Sequence, residues 1–196
     1  MSIKRQSGIM LAAGAFALAF SSVALSQTPA PFTLSSTTFK DGQLMPKKVA
    51  NMNAPGAANP NPNCVGENVS PQFSWTGVPE GTKSFGLTMV DPEGRGGAGV
   101  MHWLAYGIAP DVTSFAEGET SVDSPKYVGG KSTQGVGHYS GPCTPPGSPH
   151  HYTFVIIATD FEPKELPPGL TIPEYWAKLP GHAKGAAGLV GLFVKP

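Results

Sequence analysis

The chain has 196 residues, with 13 Lys and Arg against 13 Asp and Glu and a formal net charge of zero. A surface this neutral, with only 13% charged residues, argues against nucleic acid or an anionic membrane as the main partner. An apolar share of 40% with 25 Gly and 21 Pro, and no repeat or low-complexity block, reads as turns in one β-rich domain rather than as disorder.

In chain order, Lys4 and Arg5 precede an apolar or small stretch over residues 8–25, and Ala24-Leu25-Ser26 offers a small-x-small cleavage site before Gln27. The expectation is a cleaved secretory signal peptide over 1–26 and a single domain over 27–196, periplasmic or secreted. The stretch is nearly long enough for a membrane anchor. Small residues at its end and the polar Gln-Thr-Pro after it favour cleavage, which leaves no stable membrane span in the mature chain. No Cys near the cut marks a lipoprotein.

Residues 32–39 alternate apolar with Ser and Thr and predict a first strand. Residues 51–63, rich in Pro, Gly, Ala and Asn, predict a loop. Cys64 and Cys143 are the two cysteines. Free thiols are disfavoured in an oxidising compartment and no Cys-x-x-Cys is present, so a disulfide is expected. It would close a loop of about 80 residues, worth about 4–5 kcal/mol in the chain-entropy model.

Residues 84–90 alternate Phe85, Leu87 and Met89 with small or polar neighbours and predict a half-buried strand, with another over 101–108. Residues 131–149 have no period, and a loop that long in one domain is usually functional or disordered. Residues 152–158 are apolar or β-branched at both parities, as in a central strand buried on both faces. Thr171-Ile172-Pro173 opens a short helix stopped by Pro180, and 189–194 close as a strand. Together these elements predict an all-β antiparallel sandwich with long Gly/Pro loops and one or two short C-terminal helices.

Two segments carry chemistry: Asp91-Pro92-Glu93 running on to His102-Trp103, and Gly141-Pro142-Cys143-Thr144-Pro145-Pro146-Gly147 running on to His150-His151-Tyr152. Strand parity puts Asp91 with Phe85, Leu87 and Met89, and His150 with Tyr152, Phe154 and Ile156. It puts His102 with Leu104, Tyr106 and Ile108, and His151 on the outer side. If the first three faces look inward, Asp91, His102 and His150 rim one core. Backbone N–H groups in a Gly-rich turn such as that at Gly141 make a concavity for an anion. The imidazoles add donors, and Asp91 or Glu93 nearby would raise their pKa. The same carboxylates repel a bare phosphate, so a zwitterion fits, with phosphate toward the His150 loop and ammonium toward the acids or an aromatic face.

Enzyme chemistry is less well supported. A metal site from Asp91, Glu93, His102 and His150 has allowed ligand types but no paired helical His motif, and none is assigned. Gly137-His138-Tyr139-Ser140-Gly141 has His138 where a nucleophile elbow has Gly. A phosphate hydrolase using His150 as acid or base would need an activated water the sequence does not show. It stays as the weaker alternative to a non-catalytic binding protein without cofactor. His138 and His182 read as ordinary loop or surface residues.

These motifs, in this order and spacing, resemble the phosphatidylethanolamine-binding protein (PEBP) family, in its secreted bacterial branch often called Raf-kinase-inhibitor-like. The family's Asp-Pro-Asp-Ala-Pro and His-Trp stand here as Asp91 to Arg95 and His102-Trp103. Its Gly-Pro-Cys-Pro-Pro-x-Gly and His-Arg-Tyr stand as Gly141 to Gly147 and His150-His151-Tyr152. Asn68-Val69-Ser70-Pro71, Gly81-Thr82-Lys83-Ser84 and Gly181-His182-Ala183-Lys184 also fit, and the likeness runs over 32–194. The resemblance implies a Greek-key β-sandwich with a small anion pocket at one end, for a phosphate or phospholipid headgroup. It puts Asp91, Glu93, His102, His150 and Tyr152 on the pocket positions, and Tyr139 more loosely. Three departures stand out: Glu93 for Asp, Gly94-Arg95 for Ala-Pro, and His151 for Arg. A protein-interaction or inhibitory role outside the cytoplasm, through a mobile 131–149 loop, stays open, as does a protein partner or homodimer.

Overall fold

The computed structural model describes residues 30–196, so the signal peptide expected over 1–26 lies outside them. The described strands form two sheets. The smaller is ordered β1-β3-β6, from β1 (Thr33–Ser35), β3 (Phe73–Thr76) and β6 (Ser114–Phe115). The larger is ordered β2-β9-β8-β4-β5-β7. Its members are β2 (Gln43–Leu44), β4 (Ser84–Asp91), β5 (Val100–Ile108), β7 (Val128–Gly129), β8 (His150–Thr159) and β9 (Ala183–Phe193).

Period-two alternation turns one side of each sheet inward. Phe73 and Trp75 of β3 and Phe115 of β6 meet Phe85, Leu87 and Met89 of β4, Trp103 of β5 and Phe154 of β8, all fully buried. Trp75 packs edge-on to Phe85 and Phe115 at 5.5 and 5.7 Å between centroids, contacts worth about 0.5–1.5 kcal/mol each beyond their area. This is the expected sandwich. The outer side of the larger sheet carries a second, smaller core, where Leu104, Tyr106 and Ile157 pack with Ile172 and Tyr175 of α2 (Ile172–Lys178). That helix starts at a capping box: the Thr171 side chain accepts from the Glu174 N–H, and the Glu174 carboxylate accepts from the Thr171 N–H.

Three elements differ from expectation. The strand expected over 32–39 stops at Ser35, because side chains take the next backbone donors: Gln72 Oε1 accepts from the Thr37 N–H and Ser36 Oγ from the Thr38 N–H. The last strand starts at Ala183 rather than 189, since pairing with β8 from His150↔Phe193 to Thr159↔Ala183 overrides the weak strand preference of Gly185 and Gly188. The pair β2–β9 is parallel, so the larger sheet is not wholly antiparallel. As expected, β8 is central: it is hydrogen-bonded to β4 on one side and β9 on the other.

Candidate functional site

Asp91 ends β4, and its carboxylate organises the turn that follows. Oδ1 accepts from the N–H of Glu93 at 3.0 Å and of Gly94 at 2.9 Å. The turn runs into a single helical turn, α1 (Gly94–Gly97), whose Arg95 and Gly96 are left-handed at φ 54° and 66°. A proline, the residue of the resembled pattern at 95, has φ fixed near −65° and could not take this shape. The Gly94-Arg95 departure therefore builds a different turn at the same place.

His102 reaches the site through a bulge. Met89 pairs with Trp103 and Val90 with Met101, so His102 is the extra residue between two ladder partners. A regular strand would keep it on one side with Leu104 and Tyr106, the grouping parity predicted, and that side of the sheet faces outward. The bulge instead sends both His102 and Trp103 inward. A second irregularity between Phe85 and Leu87 likewise returns Ile108 to the main core. His102 thus looks inward beside Asp91 as expected, but on the opposite side from Leu104 and Tyr106, the neighbours parity gave it.

The result is an open cleft of about 400 Å³ whose lining includes Asp91, Glu93, Arg95, His102, His150 and Tyr152. At its floor Asp91 Oδ2 accepts from His150 Nδ1 at 2.9 Å and lies 4.0 Å from His102 Nε2. His102 Nδ1 lies 2.8 Å from the Ser140 carbonyl, which can only accept, so Nδ1 carries the proton. Burial pulls the His102 pKa below its ordinary value, against the opposing pull of the Ser140 carbonyl and the Asp91 charge. The expected upward shift from the acids is not what His102 shows, because its ring is almost wholly out of water. The Tyr152 hydroxyl is 2.6 Å from Thr144 Oγ1, and burial pushes its pKa up, so it stays a neutral phenol.

Glu93 stands on the rim and turns toward His151, whose Nδ1 and backbone N–H reach its carboxylate at 2.7 and 3.1 Å. Burial would raise the Glu93 pKa, but these bonds outweigh it and leave the carboxyl below its usual range. His151 is exposed, on the side parity assigned to it. Asp91, Glu93 and His150 have ligand-type atoms within 4.8 Å of one another. Each carboxylate is already engaged by an imidazole.

Two expected pocket residues are not in the cleft lining. Tyr139 is fully buried, donates its hydroxyl to the Val49 carbonyl at 2.9 Å and packs edge-on to Trp103. The Gly141 N–H is spent on Asn68 Oδ1 at 2.8 Å, and a Cβ there would lie 2.1 Å from the Val49 carbonyl oxygen. Both brace the site from behind. Ser140, the serine of the elbow-like pentapeptide, is buried and takes the Asn51 amide on its hydroxyl. The 131–149 segment is accordingly packed, not a free arm: Ser132, Tyr139, Ser140 and Thr144 are buried along it.

Cys64 and Cys143 form a disulfide across 79 residues. It brings the 51–63 loop to the cleft, where Asn61 joins Cys143 and Pro145 in the wall. Asn61 and Gln134, on the same wall, had no motif to mark them. The position of Asn61 three residues before Cys64 was the one usable signal.

Other proteins share this frame. A UPF0098 protein of Aquifex aeolicus is 34% identical over 164 residues, 81% of this chain and 85% of that one. LppC of Mycobacterium tuberculosis, named as a candidate lipoprotein, is 34% identical over 171 residues, 85% of this chain and 76% of its own. The crystal structure of Escherichia coli YbcL, described as a new member of the mammalian PEBP family, superposes with a TM-score of 0.72 at 29% identity. That match covers 84% of this chain and 99% of YbcL. A family model described as phosphatidylethanolamine-binding protein matches residues 35–194, a span that contains both sheets' long strands and every residue of the cleft. The chain therefore belongs to the phosphatidylethanolamine-binding protein family.

Proposed function

We propose that this protein is an exported, non-catalytic binding protein whose cleft takes a small phosphate-bearing headgroup of the phosphoethanolamine kind. The observation that carries the reading is the floor: one carboxylate, Asp91, flanked by the imidazoles of His102 and His150 inside a headgroup-sized cleft. Arg95 at the mouth supplies positive charge and Glu93 negative charge, a pairing suited to a zwitterion. Export is supported by the leader-like N-terminus, the disulfide and the likeness to LppC.

Binding without turnover is supported by how the lining is engaged: Cys143 is in the disulfide, the Tyr152 hydroxyl is held by Thr144, and His150 is hydrogen-bonded to Asp91. Titrating O-phosphoethanolamine to millimolar concentration should shift the imidazole resonances of His102 and His150, and Asp91→Ala should abolish the shifts. Phosphorus NMR of the mixture should show no inorganic phosphate released. Unmoved imidazoles at saturating ligand would sink the headgroup reading, and steady phosphate release would replace it with the hydrolase.

A further inference from the structure

We infer that the Cys64–Cys143 disulfide is a redox gate: a Cys-x-x-Cys dithiol reductant opens it, residues 53–63 swing away, and the cleft loses one wall. That the gate governs ligand binding rests on the headgroup reading above; the release of the wall does not.

The wall is held by one bond. Residues 54–62 are all exposed, and none of them belongs to either hydrophobic core. Among the described residues, every hydrogen bond made by 53–63 stays within 53–64. Asn53 Nδ2 donates to the carbonyls of Asn61 and Cys64 at 3.0 and 3.3 Å, and Asn53 Oδ1 accepts from the Asn61 N–H at 2.7 Å. The Cys64 N–H donates to the Asn61 carbonyl at 3.1 Å, and the ends of the loop meet at the Met52–Val65 bridge. Such a loop is knit to itself rather than to the body of the domain. The bond from Cys64 Sγ to Cys143 Sγ is what sets Asn61 beside Cys143 and Pro145 in the cleft lining.

The two stems of the loop are held without it. On the near side the Asn51 N–H donates to the Pro142 carbonyl at 2.8 Å, and the Asn51 amide donates to Ser140 Oγ at 2.9 Å. On the far side the Asn68 amide donates to the Tyr139 carbonyl at 3.1 Å and accepts from the Gly141 N–H at 2.8 Å. Val49 and Ala50 lie in the main core. Breaking the disulfide therefore frees the wall and leaves its base in place.

Both cysteines are only partly buried, so a thiolate can reach the bond, and accessible disulfides are the ones that exchange. The attacking thiolate forms a mixed disulfide with one cysteine and expels the other as a thiolate. The second thiol of the reductant then displaces the first cysteine. Two electrons and two protons end on Cys64 and Cys143, and the reductant leaves as its own disulfide.

The test treats the folded, disulfide-bonded protein with reduced thioredoxin as the dithiol and follows free thiols by alkylation and mass spectrometry. Both cysteines should become alkylated. Backbone order parameters over 54–62 should then drop below about 0.6, while those of β4 and β8 stay near about 0.85. Affinity for O-phosphoethanolamine should fall at least about fivefold, and reoxidation should restore both readouts. The double variant Cys64→Ser/Cys143→Ser should match the reduced protein and ignore thioredoxin. Cysteines that thioredoxin cannot reduce in the folded protein, or a wall as ordered after reduction as before, overturn the gate. So does global unfolding on reduction, read by near-UV circular dichroism, since the bond would then be a staple. A freed wall with unchanged affinity overturns its control of the ligand. If the oxidised protein does not bind O-phosphoethanolamine at all, the headgroup reading falls, and the thiol and relaxation measurements still decide whether the wall is released.

Discussion

At His102, burial and hydrogen bonding pull proton affinity in opposite directions, and burial wins. The same imbalance couples stability to pH. In the unfolded chain the imidazole takes up its proton near 6.5, while the folded ring resists until lower pH. Below 6.5 the unfolded state therefore binds more protons, and stability falls as pH falls, by up to about 1.4 kcal/mol per pH unit from this group. Urea midpoints between pH 7.5 and 5 should show the slope, and His102→Gln should flatten it. The range stays above the ordinary Glu value of 4.5, where Glu93, Glu117 and Glu119, each held below that value by its hydrogen bonds, keep their charge. An unchanged slope in the variant would mean that other groups carry the effect.

Among the elements, the loop between β7 and β8 is the one whose packing most exceeds its sequence signal. Gly141 is there because the backbone of residues 49–51 comes too close for any side chain. Gly141→Ala should cost about 2–3 kcal/mol, read as a lower urea midpoint at constant m-value, because the clash is with backbone that cannot rotate away. Strand β4 was legible from its alternation and β8 from apolar or β-branched residues at both parities, and the two pair in regular register. The inward placement of Asp91 and His150 follows from the period-two parity of each strand. The bulge at His102 was not legible, because a one-residue slip depends on the partner strand rather than on the residues slipped. Nor was β3: Phe73 and Trp75 alternate with Ser74 and Thr76, but four residues are too short a run to mark a strand. Tyr139 and Gly141 sit inside a recognisable motif, yet only tertiary packing shows that they support the cleft from behind.

Across the whole molecule, the disulfide ties a loop that precedes the core strands to one that follows most of them. Replacing both cysteines by serine should lower stability by about 4–5 kcal/mol and the Tm by roughly 10 °C or more. It should also weaken ligand binding, since Asn61 and Pro145 would lose the link that sets them side by side. A variant with wild-type Tm would show that packing alone holds the two loops. The order β2-β9-β8-β4-β5-β7 has a kinetic consequence as well. β9, residues 183–193, lies inside the sheet between β2 and β8, so a strand made late in synthesis separates one made early from the centre. No partial product ending before it can close the sheet, and pairings this far apart in sequence form slowly. A chain emerging from the ribosome would lack its complete sheet until those residues arrive, and an incompletely folded chain is the form that can still be threaded through a translocation channel.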